Sequence, residues 1–301
     1  MKKVIALLIA VMLVMPAAVF AAASADPVEA AARVSYLGPA GTYTEEAAQF
    51  FFQNGEELNP METVNDAIAD LLSGEADYAV IPQENTVGGA VVNYVDALIG
   101  AEDAFVVGEV VLPISQTLLG LPGATLADIT TVCSHAQGLT QSARWRSEHL
   151  PDARTQEMGS TAAAASYVAE TGDPSIAAVA APGAAALYGL KVLAENVQIT
   201  DANKTRFYVL SREALACDGL NRAVLVATCE ASRIDDIIVR LHDAGLELVA
   251  LHDRPEGSAL GSYHYVIELE SEAGVTAAQL DVLRSLDGVR LAGCFNAVEK
   301  S

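Results

Sequence analysis

The 301-residue sequence predicts an α/β protein of two lobes followed by a small α+β unit. Three observations predict this class. Between residues 33 and 183 strand-like runs repeatedly pass through a glycine-containing or polar turn straight into a helix start. A long apolar stretch, Phe105–Leu121, is extended enough to cross from one lobe to the other, and the chain returns at Asn203. After Asp218-Gly219 the elements follow the order β-α-β-β-α-β, the ferredoxin-like unit. The boundaries this implies are a leader at 1–25, a two-lobed unit at 26–212 and a C-terminal unit at 213–301.

In chain order, Arg33-Val34-Ser35-Tyr36-Leu37 is the first strand. Gly38-Pro39-Ala40-Gly41 makes a turn, and a helix runs from about Glu45 to Phe52, with Thr42 and Glu45 at capping-box spacing and Thr44 as the other candidate N-cap. The free N–H groups of such a helix start suit an anion, although a plain tight connection reads the same way. A helix near Val64–Leu72 follows. The strand Tyr78–Ile81 then enters a polar loop, Pro82–Gly89, where ligands bind in open α/β sheets. Glu84, Asn85 and Thr86 offer an acceptor, an amide and a hydroxyl there. After the helix at 90–99 and the apolar stretch, the strand Thr130–Cys133 ends in Ser134-His135-Ala136-Gln137 and a helix to about Leu150.

His135 again stands where a strand becomes a helix. Gly159-Ser160-Thr161 opens an Ala-rich helix to Glu170, and the strand Ile176–Ala180 ends in Pro182-Gly183. Asn203-Lys204-Thr205-Arg206-Phe207 then starts another strand. On a regular strand Thr205 and Phe207 share one face and Arg206 takes the other, so all three serve one site only if the strand begins irregularly. The last portion reads as strand Arg222–Thr228, helix Ser232–Ala244, strands Leu246–Leu251 and Tyr263–Glu270, helix Thr276–Leu286 and strand Val289–Phe295.

Lys2 and Lys3, the apolar run Val4–Met15, Pro16 and the small residues before Asp26 form a secretory signal pattern, with Ala23-Ser24-Ala25 and Val19-Phe20-Ala21 as the two candidate cleavage sites. The expected location is periplasmic or secreted, with an uncleaved membrane anchor as the alternative. The net charge is −22, or −24 once the two leader lysines are removed. Such a surface repels nucleic acid and anionic lipid, so neither is expected as a partner, and an anion site must be locally positive. Cys133, Cys217, Cys229 and Cys294 fit no zinc or Cys-x-x-Cys spacing, and no metal is expected. In an exported chain they allow three full pairings; buried free thiols are the other reading.

Six motifs carry a family resemblance: Gly38-Pro39-Ala40-Gly41-Thr42-Tyr43; Val80-Ile81-Pro82-Gln83-Glu84-Asn85-Thr86; Ser134-His135-Ala136-Gln137; Ser160-Thr161-Ala162-Ala163; Leu187-Tyr188-Gly189-Leu190; and Asn203-Lys204-Thr205-Arg206-Phe207. In this order they resemble the prephenate dehydratases, and Arg222–Val298 looks like an ACT regulatory domain. The resemblance implies a lobed catalytic fold like that of periplasmic binding proteins. It also implies a cofactor-free lyase that turns prephenate into phenylpyruvate, carbon dioxide and water in phenylalanine biosynthesis.

By the same resemblance Thr205 assists the leaving hydroxyl, Arg206 holds a carboxylate, Phe207 forms an apolar wall, and Glu84 or His135 is the alternative acid. Thr42, Asn85, Thr86, Ser134, Gln137, Ser160 and Thr161 would bind substrate. A homodimer or homotetramer is implied, with phenylalanine bound at the ACT unit through Asp253, Arg254 and Pro255. His252-Asp253 replaces the family's usual Glu-Ser there, and Glu230-Ala231-Ser232 lacks its glycine-led signature. An ACT unit kept for dimerisation alone, arogenate as substrate, and an exported aromatic-acid binding protein are the alternatives.

Overall fold

The computed structural model describes residues 32–90, 92–200 and 202–300. The signal pattern at 1–25 lies outside the described residues.

The first lobe opens with β1 (Arg33–Leu37), α1 (Tyr43–Phe51), β2 (Glu57–Met61), α2 (Val64–Ser73), β3 (Tyr78–Asn85), the short β4 (Gly89–Ala90), α3 (Val92–Gly100) and β5 (Phe105–Pro113). Local chemistry sets the helix ends. Thr42 caps α1; Thr63 and Asp66 form a capping box on α2, which stops at Gly74 in the left-handed conformation. The chain then crosses to the second lobe: β6 (Thr117–Gly120), β7 (Thr131–Ser134), α4 (Ala136–Gln141), α5 (Ala143–His149), β8 (Arg154–Glu157), α6 (Thr161–Thr171), β9 (Ile176–Ala180), α7 (Gly183–Leu187) and β10 (Lys191–Ala194). It returns as β11 (Lys204–Ser211), which pairs antiparallel with both β3 and β5.

The C-terminal unit comprises β12 (Arg222–Glu230), α8 (Ile234–Asp243), β13 (Glu247–Pro255), β14 (Ser262–Glu270), α9 (Ala277–Ser285), β15 (Val289–Phe295) and β16 (Ala297–Glu299). Its first four strands lie in the order β13-β14-β12-β15, all antiparallel, which is the expected ferredoxin-like sheet. The second lobe's sheet runs β10-β6-β9-β7-β8. Two lobes, two chain crossings and a ferredoxin-like tail are therefore present as the sequence predicts.

The crossings lie side by side. Ile114 N–H donates to Asn203 O (2.8 Å), and Val197 N–H donates to Gln116 O (2.9 Å). Tyr188 of the second lobe donates its hydroxyl to Ala40 O of the first (2.8 Å), across the mouth between the lobes.

Several expectations are corrected. The strand ending at Ile81 continues to Asn85, because β11 supplies partners along its whole length, and the predicted polar loop shrinks to Thr86–Gly88. Phe105–Leu121 is two strands in different sheets. The helix expected up to Leu150 breaks at Ser142, whose hydroxyl donates back to Gly138 O (2.7 Å). β2 and β8 were not foreseen: both are short edge strands, β8 polar throughout and β2 interrupted by Pro60.

The C-terminal unit is joined to the first lobe more intimately than a tethered domain. Its sheet continues that of the first lobe through a parallel pairing of Gly293 with Val106. A Cβ at Gly293 would lie 2.1 Å from Val106 O, and its φ is +149°, so only glycine allows this approach. Val224, Val226, Val266 and Phe295 share one core with Tyr94, Leu98 and Tyr208. A second core, under α8 and α9, belongs to the unit alone. Cys217 and Cys294 form a disulfide, while Cys133 and Cys229 are buried free thiols, so two of the four cysteines pair.

Candidate functional site

A cleft of about 480 Å³ lies between the lobes. The first lobe contributes the end of β1, the N-terminus of α1 (Thr42 to Thr44), Pro82 and Asn85 of β3, and Thr205 and Phe207 of β11. The second lobe contributes the starts of α4 (His135, Gln137) and α6 (Ser160, Thr161). Three helix N-termini therefore converge on one space, at the C-terminal ends of parallel strands. Among the described lining residues none is Lys, Arg, Asp or Glu. The local positive potential demanded by an acidic chain comes from backbone dipoles and neutral donors.

Thr205 is 9% exposed, and its surroundings fix how its hydroxyl is used. Asn85 Oδ1 accepts from the backbone N–H groups of Val87 (3.0 Å) and Gly88 (2.9 Å). The amide cannot turn over without losing both bonds. Its Nδ2 therefore donates, to Asn203 Oδ1 (2.7 Å) and to Thr205 Oγ1 (2.9 Å). With a lone pair of Thr205 so occupied, its own O–H is left to donate toward the cleft. Gln137 Nε2 also reaches Asn85 Oδ1 (3.1 Å), close over Gly88; a Cβ there would lie 2.6 Å from that nitrogen.

The amide chain continues deeper. Asn203 Nδ2 donates to Gln141 Oε1 (3.2 Å), and so does Gln116 Nε2 (3.3 Å). The direction set by the backbone at 87–88 thus passes from amide to amide. It leaves Gln141 Nε2, a donor, and Gln116 Oε1, an acceptor, buried without protein partners. Both side chains line the cleft. Unpaired polar atoms in this setting mark a place for a ligand's own polar groups.

The other foreseen residues divide. His135 caps α4, its Nδ1 accepting from Gln137 N–H (3.3 Å), and lines the cleft. Ser160 Oγ accepts from Ala163 N–H (2.9 Å) and Thr42 Oγ1 from Glu45 N–H (3.4 Å), so both are caps as well as lining residues. Ser134 is wholly buried and donates to Val179 O (2.6 Å), behind the cleft. Thr86 is exposed and ties β3 to β11, donating to Ala202 O (2.9 Å) and accepting from Lys204 N–H (3.0 Å).

Arg206 and Glu84 are not brought to the cleft. β11 is regular at this point, so Arg206 projects from the opposite face to Thr205 and Phe207. The guanidinium bonds Glu109 (Nε 3.0 Å, Nη2 2.5 Å), Glu84 (3.3 Å) and, in a short contact, Glu268 of the C-terminal unit. Burial works against its charge, but Glu268 and Glu109 outweigh this and hold it firmly protonated. Burial first, then the charge of Glu268, raise the Glu109 carboxyl above the ordinary range, against the pull of Arg206. On β13, Arg254 forms a two-point bond with Asp96 of α3 (2.6 and 3.1 Å), while Asp253 and Pro255 are its neighbours on the strand.

Sequence reasoning missed Gln141, Gln116 and the role of Asn203. Gln141 lies four residues after Gln137 and so on the same helix face, a signal that was there to read. Gln116 sits at a lobe crossing, and no local pattern announces it.

A sequence profile described as "Prephenate dehydratase" matches residues 34–215. A prephenate dehydratase of Amycolatopsis methanolica is 35% identical over 271 residues, covering 87% of this chain and 88% of that protein. The solved prephenate dehydratase of Arthrobacter aurescens, in complex with L-Phe, is 30% identical with a TM-score of 0.79, covering 88% and 90% of the two chains. A solved chain described as GqqA, a novel type of quorum-quenching acylase, is 27% identical with a TM-score of 0.78, covering 88% and 98%.

Proposed function

The chain belongs to the prephenate dehydratase family and is a decarboxylating lyase that turns prephenate into phenylpyruvate; from that premise we propose that Thr205 is the group that acts on the leaving hydroxyl. In this reaction the bond from the ring to its carboxylate breaks and carbon dioxide departs. The electron pair moves through the ring and expels the hydroxyl, which takes up a proton and leaves as water.

Three features of the cleft fit these demands. The departing carboxylate benefits from poor solvation and no cation, since a guanidinium there would favour the ground state. The apolar wall of Phe207, Pro82 and Ile114, with no Lys or Arg among the described lining residues, meets that need. The pyruvyl carboxylate is held by the starts of α1 and α6 and by Gln141 Nε2. Thr205, bonded by Asn85, presents its O–H to the leaving oxygen. A threonine hydroxyl is too weak an acid to give up its proton outright; it stabilises the departing hydroxide by hydrogen bonding while the proton arrives from solvent, and His135, which lines the same cleft, is the alternative acid.

The fixed Asn85 amide is the observation that carries this reading. Thr205→Ala is expected to lower kcat for phenylpyruvate formation by about 10²–10³-fold, as for loss of a single well-placed donor, with KM changed far less. Near-normal turnover by the variant would move the role to His135.

The C-terminal unit is read as an ACT domain that binds phenylalanine and pairs in a homodimer or homotetramer. The L-Phe complex of the Arthrobacter aurescens relative supports the ligand. Here Arg254 is engaged by Asp96, so binding has to compete with or adapt to that pair. Calorimetry with no heat at millimolar phenylalanine would reject the ligand, and a monomer in light scattering the pairing. Export to the periplasm or medium is supported by the Cys217–Cys294 disulfide, which persists in oxidising compartments. Cell fractionation finding the unprocessed, reduced chain in the cytoplasm would refute it.

A further inference from the structure

We propose that Glu268, on β14 of the C-terminal unit, is a positioning residue for the dehydratase reaction: it holds β11 and β3 from behind the sheet and so fixes Asn85 and Thr205 in the cleft. The inference rests on the reading of Thr205 given above.

β11 alternates across the sheet. Thr205 and Phe207 face the cleft; Arg206 and Tyr208 face the C-terminal unit, and both bind Glu268. Tyr208 donates its hydroxyl to Oε2 (2.7 Å), and Arg206 makes a short contact with Oε1. The neighbouring strand does not alternate. Arg206 pairs with Glu84 and Phe207 with Pro82, so Gln83 is the extra residue of a bulge. The bulge puts Gln83 and Glu84 on the far face together and brings Asn85 back to the cleft face. Gln83 Nε2 donates to the same Glu268 Oε2 (2.8 Å) and to Tyr208 (2.9 Å). One carboxylate thus ties the strand that carries Thr205 to the bulge that aims Asn85 at it.

Arg222 of β12 completes the set, donating to Oε1 (3.1 Å). Glu268 is 1% exposed, and both of its oxygens carry two donors. Without Glu268, Arg206 still has Glu109 and Glu84, and Arg222 still has Glu270, but Tyr208 and Gln83 bond no other carboxylate among the described residues. A buried charge removed from such a set leaves the others to rearrange, and Arg206, Tyr208 and Gln83 stand on the two strands that carry Thr205 and Asn85.

The experiment uses the mature full chain with prephenate and the variants Glu268→Gln, Tyr208→Phe, Glu268→Asp and the pair Thr205→Ala/Glu268→Gln. Glu268→Gln is expected to lower kcat about 10-fold or more with KM within about 3-fold, while Tyr208→Phe, which keeps the ring and loses one bond, lowers it by a smaller factor. Glu268→Asp recovers part of the loss. The pair is no slower than Thr205→Ala alone, because Glu268 acts through Thr205.

A folded Glu268→Gln chain with kcat within about 2-fold of the parent, or losses that multiply in the pair, would overturn the proposal. If Glu268→Gln fails to fold, an unchanged kcat in Tyr208→Phe overturns it and a lowered one upholds it. Should Thr205→Ala alone leave turnover intact, the Thr205 reading fails, and Glu268 as its support fails with it.

Discussion

Asn85 is where residue-scale chemistry decides most. Two backbone N–H groups orient its amide, and that orientation makes Thr205 a donor and leaves Gln141 with a free N–H. Gln141→Glu keeps an oxygen to accept from Asn203 and Gln116 but replaces the free donor with a second acceptor; KM for prephenate should rise about 10-fold or more, consistent with an unpaired substrate carboxylate, and an unchanged KM would place that carboxylate elsewhere. Across the sheet, Glu109 retains its proton to higher pH in the folded chain than in the unfolded one. The fold is therefore favoured on the acid side and loses stability as pH climbs from about 4.5 through the raised value. The melting temperature of the parent minus that of Glu109→Gln should fall over this range; a difference that grows with pH would contradict the sign. Thr205, Phe207, His135 and Ser160 were legible from their neighbours in sequence. The sequence left open whether β11 starts regularly, and so whether Arg206 shares the site with Thr205; its pairing with β3 and β5 decided that, as it decided the bulge at Gln83, which exists only in register with β11.

Elements were mostly readable because their caps and breaks are local. Thr42, Thr63, Ser160 and Thr276 each cap the helix they precede. Failures came where a partner strand decided. β3 runs four residues past its apolar core because β11 pairs with it, and β2 and β8 are strands only by lying at sheet edges. β15 meets β5 at a single residue pair, and Gly293 makes the meeting feasible. Gly293→Ala should cost about 3 kcal/mol through strain and the clash with Val106, read as a lowered denaturation midpoint. A midpoint equal to that of the parent would mean that this junction is soft.

At the scale of the whole molecule, the C-terminal unit completes the first lobe's core as well as carrying its own. A chain ending at residue 212 would expose Tyr94, Leu98 and Tyr208, now covered by Val224, Val266 and Phe295, and would strip Glu268 from Arg206. It is expected to be insoluble or inactive toward prephenate; a soluble truncated chain with parental kcat would show the unit to be dispensable. The similar fold of a quorum-quenching acylase underlines that the scaffold alone does not fix a reaction, which the cleft's own groups must do. By itself the sequence determined the element order, the helix caps, the six motifs and their family, because these depend on residues close together along the chain. Only the tertiary structure decided that Arg206 and Glu84 lie behind the cleft, that the amides run from Asn85 to Gln141, and that Glu268 joins the two units. Each of these depends on which strands become neighbours, and strand pairing is settled by burial and register between segments far apart in sequence.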